Sequence, residues 1–262
     1  MLEQQTYGAH GRMHASRAHQ ACAAPPSPSP RQNHLLAALP AADLERLLPH
    51  LEAVWLPQGR TIHAAGDRER HLYFVTSGIV AQYYAMQDGT QAEFALTGNE
   101  GVIGVASVLG GASTPWEAEV VSVAHAYRLR ECQLERNSAL LRLLLRYTQA
   151  LIAQIGQTAA CIRHHSLEQR LCGWVLACLE RLGTDRLEMT QESIAAMLGV
   201  RRESVTLAAA SLQRAGVLRH TRGVITVPDR DLLERQTCEC HALVRREYDR
   251  LFAPYRQAGV TS

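Results

Sequence analysis

The sequence predicts an α+β protein: an N-terminal antiparallel β-roll, a long connecting helix and a C-terminal winged helix-turn-helix. Three observations carry this. Apolar residues alternate with period two between glycine-bearing turns over residues 52 to 130. The period changes to threes and fours between Leu134 and Arg163. The stretch from Met189 to Val227 then places a small residue, a turn glycine and a basic helix start in helix-turn-helix order.

The 262 residues suggest about two domains with room for buried cores. Formal net charge is only +2, and all 27 basic side chains are arginine, so any attraction to nucleic acid must come from local placement. Residues 1–31, rich in Ala, His, Gln, Ser and Pro, are expected to form a disordered arm. Its His10, His14, His19 and Cys22 are too irregularly spaced for a metal site.

Residues 32–130 are assigned to the roll. Leucines from Leu35 to Leu51 suggest short helices leading into it. The segments AVWL, HLYFV, GIVAQYYA, QAEFAL, EAEVVSV and HAYRL then read as separate strands. Turns are expected at Gly59, Gly66-Asp67, Ser77-Gly78, Asp88-Gly89, Gly98-Asn99 and Gly110-Gly111.

Residues 131–163 form the long helix. Leu140, Leu144, Tyr147, Leu151, Ile155, Thr158 and Ile162 make a narrow apolar stripe, suited to pairing with a second copy of itself in a homodimer.

Residues 164–235 form the winged helix-turn-helix, opened by an amphipathic helix from Ser166 to Leu182 that Gly183 ends. Thr190 caps the first helix of the motif, Gln191 begins it and Gly199 turns it. Val205, Ala208, Ala209 and Leu212 face inward in the second helix, which turns Glu203, Thr206, Leu207 and Ala210 outward. An amphipathic helix pair ordinarily just packs as core. Here an arginine, Arg201, stands where a Ser, Thr or Asp would cap, beside a phosphate if DNA is bound. Arg202 suits the O6 and N7 of guanine, and Glu203 the N4 of cytosine. Residues 217–227 alternate as a hairpin wing turned at Arg222-Gly223. The candidate DNA-contacting residues are Thr190, Gln191, Arg201, Arg202, Glu203, Ser204, Thr206, Leu207 and Arg222.

Residues 236–262 form a C-terminal extension, continuous with one last helix that starts after Pro228-Asp229. Its Cys238, Cys240 and His241 invite a metal reading. On a single helix, Cys238 and Cys240 face different directions and no second ligand pair is evident, so no metal site is expected. The seven cysteines show no disulfide framework, no run approaches a membrane span and no signal peptide is evident. A soluble cytoplasmic protein is the expectation.

In this order the parts resemble the Crp-Fnr family of bacterial transcription regulators over residues 33 to 235. The most specific pieces are LYFVTSGIV, HSLEQRL, LGVRRESV and RGVITVPDRDLLE. The resemblance implies a cyclic-nucleotide-binding-like jelly roll that senses a small molecule. It also implies a homodimer on two-fold symmetric promoter DNA, with RNA polymerase as a further candidate partner, and no catalysis.

Cyclic-AMP-binding members carry Gly-Glu and later Arg-Ser in the roll. Here Val105 follows Gly104, and Trp116-Glu117 stand where Arg-Ser is expected, so cyclic AMP is not expected to bind in the usual way. The candidate effector pocket is Glu100, Gly104, Val105, Trp116 and Glu117. No cofactor is expected: with only Cys22 in the arm an iron-sulfur centre does not fit, and haem on His63, His71 or His125 is a minor option. Arg202, Glu203 and Ser204 match the family's base-reading run, and Leu207 replaces an arginine. The alternative is a ligand-binding signalling module that contacts protein instead of DNA.

Overall fold

A computed structural model of the chain describes residues 28–258 apart from positions 112, 136 and 137. Most of the arm, including His10, His14, His19 and Cys22, lies outside the described residues. Its last residues already belong to the fold: Pro30–Gln32 make a 3-10 turn, and the Tyr127 hydroxyl donates to the Pro28 carbonyl at 2.8 Å.

Asn33 caps the first helix, α1 (His34–Ala37), which α2 (Ala41–Leu47) follows. Wholly buried, Asn33 accepts from the amides of Leu35 and Leu36 and donates to the carbonyls of Val75 and Gly101, both at 2.8 Å. One side chain thus ties the entry helix to two parts of the roll. Asn33→Ala leaves both carbonyls buried without a donor and removes the cap. It is expected to lower stability by about 2–4 kcal/mol, read as a lower denaturant midpoint at unchanged slope.

The roll contains β1 (Glu52–Leu56), β2 (Thr61–His63), β3 (His71–Ala85), β4 (Gln91–Thr97), β5 (Val102–Ile103), the short helix α3 (Val105–Leu109) and β6 (Glu117–Arg130). The strands pair antiparallel in the order β1-β6-β3-β4, with β2 added on β6 and β5 on β3. HLYFV and GIVAQYYA are one strand, not two, and so are EAEVVSV and HAYRL. Ser77-Gly78 is an irregularity inside β3, where the register against β6 shifts. Gly78 has φ +82°, and a Cβ there would stand 2.4 Å from the Val123 carbonyl, so the close approach of β6 requires the glycine.

The long helix α4 (Ala139–His164) starts at the Ser138 cap, later than its apolar pattern suggested. Then come α5 (Leu167–Leu182), closed at its start by a Ser166/Gln169 capping box, β7 (Arg186–Glu188), α6 (Gln191–Leu198) and α7 (Arg202–Arg214). The wing strands β8 (Arg219–Thr221) and β9 (Val224–Thr226) join β7 in a three-stranded sheet of order β7-β9-β8. The expected last helix is broken in two: α8 (Arg230–Gln236) and α9 (Glu239–Ala258), with Thr237 and Cys238 between them.

This break returns the chain over α4. Tyr248, Leu251 and Phe252 of α9 share a core with Leu140, Leu143, Leu144, Tyr147 and Leu151, and Tyr248 donates its hydroxyl to Gln154 at 3.2 Å. Four residues of the expected dimer stripe, Leu140, Leu144, Tyr147 and Leu151, are therefore buried within their own subunit, and Thr158 is partly buried. Only Ile155 and Ile162 of that stripe face outward. The local pattern recorded an apolar face without recording that α9 covers it.

Candidate nucleic-acid interface

α7 is held by its inward face. Val205, Ala208, Ala209 and Leu212 are buried against Trp174, Leu179, Ile194 and Ile225. The spacing of those four residues forces the rest of the helix outward. Arg202, Glu203, Thr206 and Leu207 are exposed and Ser204 is partly so; Leu207, a large apolar side chain, reaches 72 % exposure. Arg201 occupies the N-cap position with extended backbone and makes no capping bond, leaving its guanidinium to solvent.

The neighbouring residues play unequal parts. Thr190 caps α6 through the Ser193 amide at 3.1 Å. Gln191 accepts from Thr206 Oγ1 at 2.8 Å and meets His220 Nδ1 at 3.0 Å, so its carboxamide links α6, α7 and the wing. Arg202 lies 3.7 Å from Glu192, an exposed pair that solvent screens and that leaves the guanidinium available. Arg222, at the wing tip, has φ +49° beside Gly223 at +79°, the left-handed pair of a tight two-residue hairpin. Arg201, Arg202, Arg219 and Arg222 are all exposed. A helix face with basic residues at its start and a basic wing can meet phosphates and base edges together.

Two family models match the chain: a cyclic nucleotide-binding domain over residues 53–137 and a Crp-like helix-turn-helix domain over residues 169–236. The chain belongs to the Crp-Fnr family. It is 26% identical over 206 residues to a CRP-like cAMP-activated global transcriptional regulator of Mycobacterium tuberculosis, covering 72% of this chain and 90% of that one. Its fold is that of a CRP-family transcriptional regulator from Thermus thermophilus, with TM-score 0.62 and 20% identity, over 70% of this chain and 95% of that one. FixK2 from Bradyrhizobium japonicum also has it, with TM-score 0.62 and 19% identity, over 72% and 98%. This Crp-Fnr regulator is thus a DNA-binding transcription regulator with a roll of the cyclic-nucleotide-binding type. No helix among its described residues is long and apolar enough to cross a membrane.

The residues expected to line an effector pocket make different contacts, although Thr114 Oγ1, which donates to the Trp116 carbonyl at 3.2 Å and to Glu69 at 3.4 Å, keeps Trp116 near the start of α3. Glu100 leaves the roll and pairs with Arg181 of α5 at 2.8 Å. Trp116 packs edge-on against Phe94 and Tyr84, while Glu117 accepts from the Tyr83 hydroxyl at 3.2 Å. Gly104 and Val105 begin α3, where the Ala106 amide donates to Glu69 at 3.1 Å.

Glu69 was not singled out from the sequence. Nearly buried, it also accepts from Thr114 Oγ1 at 3.4 Å, and its carboxyl lies 3.2 Å from His63 Nε2. Burial raises its pKa, opposed chiefly by His63. His125 meets Ser77 Oγ at 3.2 Å, and His71 lies beside Tyr73.

The reading domain docks on its own roll. Trp174 of α5 donates its indole N–H to Glu93 of β4 at 2.8 Å. Burial pushes the Glu93 carboxyl up to about 7, against the Trp174 hydrogen bond and the nearby Arg181 charge. Because the folded value lies above the unfolded one, the stability linked to Glu93 is present below its ordinary range and is lost as pH rises through about 7. Between about pH 5 and pH 8 the docked arrangement is expected to weaken. Glu93→Gln should flatten that part of the pH dependence, seen as a smaller difference in melting temperature between the two pH values than in the parent.

The C-terminal cysteines differ from expectation most. Cys238 lies in the break before α9 and Cys240 in its first turn, so the single-helix spacing that set them apart does not apply. Both approach the end of α4, where the side-chain ligand atoms of Cys161 and of the C-cap residue His165 lie within 4.8 Å of theirs. Sequence reasoning missed Cys161 and His165, although their separation of four residues was a visible signal. His241 turns elsewhere, to Glu180 at 3.0 Å.

Proposed function

We propose that this Crp-Fnr regulator acts as a homodimer without catalytic activity. It reads a two-fold symmetric promoter site and answers to an effector other than cyclic AMP bound in the usual way. The observation that carries this reading is the open outward face of α7, where Leu207 is exposed to water. Leu207 suits a thymine methyl, Arg202 a guanine edge and Glu203 a cytosine amine. Gln191 links that helix to α6 and the wing, and Thr190 caps α6 beside it.

Dimerisation uses a face of α4 other than the expected one. Arg142, Leu145, Gln149, Ile152, Gly156, Ala159 and Arg163 are exposed at alternating spacings of three and four. Ile155 and Ile162 flank this heptad-like stripe, and α9 leaves it uncovered. Ile152 alone is 64 % exposed. RNA polymerase is the protein partner proposed for the promoter-bound dimer.

Inside the roll, the Ala106 amide and the Thr114 hydroxyl already receive the chain's own anion, Glu69. A cyclic phosphate placed there would meet that carboxylate instead of an arginine, which favours an uncharged or cationic effector. No haem or iron-sulfur centre is proposed for the roll.

The test is selection of DNA from random pools by the purified full chain, after recording its absorption spectrum. Paired half-sites centred about one helical turn, ~34 Å, apart are expected, with affinity that falls steeply with salt. Failure to enrich any sequence, together with binding indifferent to salt, would favour a signalling module that contacts protein.

A further inference from the structure

We propose that Cys161, His165, Cys238 and Cys240 bind one zinc-class divalent cation that fastens the C-terminal helix to the end of the long helix. Their ligand atoms all lie within 4.8 Å of one another. Cys161 Sγ stands 3.5 Å from Cys238 Sγ, and Cys240 Sγ stands 3.4 Å from His165 Nδ1. Tetrahedral zinc, with Zn–S of about 2.3 Å and Zn–N of about 2.0 Å, separates neighbouring ligand atoms by roughly 3.5–3.8 Å. The four groups therefore need only small adjustments to enclose one ion.

The backbone explains the convergence. Cys161 lies in the last turn of α4, and His165 is the residue that caps that helix, its backbone extended (φ −114°, ψ 149°) and its amide donating to the Cys161 carbonyl at 3.0 Å, which keeps the two side chains close at the helix end. Cys238 lies outside regular helix, so it and Cys240 turn toward the same point although only one residue separates them.

Surrounding groups suit a thiolate-rich site. His165 Nε2 lies 3.3 Å from Glu239 Oε2, which orients the ring with Nδ1 toward the sulfurs, the carboxylate–imidazole–metal arrangement. Gln157 Nε2 donates to Cys240 Sγ at 3.1 Å. Three thiolates and a neutral imidazole around a divalent cation leave one negative charge. Soft sulfur with imidazole selects zinc over magnesium or calcium. An iron-sulfur cluster needs ligands spread over several irons, whereas these converge on a single point.

The location gives the cation a task. His165 directly precedes Ser166, which caps the first helix of the reading domain, and Cys240 lies on the helix that covers α4. A bound ion therefore braces the joint through which the roll and the reading domain are connected.

The experiment uses untagged full-length protein purified in reductant. Elemental analysis is expected to find about one zinc per chain. Cobalt added to the zinc-stripped protein should produce the visible and charge-transfer bands of a tetrahedral thiolate site. Cys161→Ser and Cys240→Ser should each weaken zinc binding at least tenfold, and Glu239→Gln by roughly tenfold or more. Cys132→Ser, at an exposed cysteine outside the cluster, should leave it unchanged. Should the serine variants fail to fold, the parent decides: zinc must protect Cys161, Cys238 and Cys240 from alkylation while Cys132 still reacts. Reduced protein that takes up neither zinc nor cobalt overturns the proposal. So does a Cys161–Cys238 disulfide whose formation in air is unaffected by zinc. None of these readouts depends on DNA binding, so failure here and failure of the regulator reading are distinguishable.

Discussion

Ile152→Glu is expected to convert the dimer into a folded monomer and to lower affinity for a two-half-site operator by about 10²–10⁴-fold. The magnitude follows from linkage: the second reading helix binds at high effective concentration only while the first is attached to it. The monomer should remain stable, because an exposed position away from caps and core normally changes stability by about 0.5 kcal/mol or less. Light scattering and a melting curve separate the two effects. Leu144→Ala supplies the contrast. Leu144 is fully buried within its own subunit, so truncation should cost about 2–5 kcal/mol of stability. An Ile152→Glu protein that stays dimeric and binds the operator normally would move the interface off this face of α4.

Arg202→Ala is expected to weaken operator binding by about 1–3 kcal/mol, roughly 5- to 150-fold, and to relax preference at one base position in each half-site. Its side chain is exposed, it caps nothing, and its pairing with Glu192 is screened, so little folding stability goes with it. Specific and random DNA should respond differently. Equal weakening on both would reduce Arg202 to a phosphate contact. Leu207→Arg is the complementary variant, restoring the guanidinium that the resembled family commonly places there and shifting the selected half-site toward an added guanine.

Much of this molecule was legible from local pattern. The period-two stretches, the outward positions of α7 and the Arg222-Gly223 hairpin follow from side-chain alternation, helical spacing and the backbone a tight turn demands. Misreadings arose where a residue that usually signals a turn served a close approach. Ser77-Gly78 looked like the end of a strand, and only the passage of β6 across Gly78 shows why the glycine stands there. Thr237 offered little warning of a helix break. Glu69 was silent for a different reason: a single acid in a polar segment carries no periodic signal, and its partners at Ala106 and Thr114 come from later in the chain.

What the sequence determined by itself is the kind of molecule: a roll, a connecting helix and a reading head with Arg202, Glu203 and Leu207 turned outward. Each of these is encoded by neighbours within a few residues of one another. The tertiary structure alone decided which apolar face of α4 is covered and which cysteines meet. α4 has more than one face able to bury apolar surface, and Tyr248 and Phe252 of α9 select among them from far along the chain. The same return of the chain brings Cys238 and Cys240 to Cys161 and His165, a meeting of distant segments that the spacing within either one does not encode.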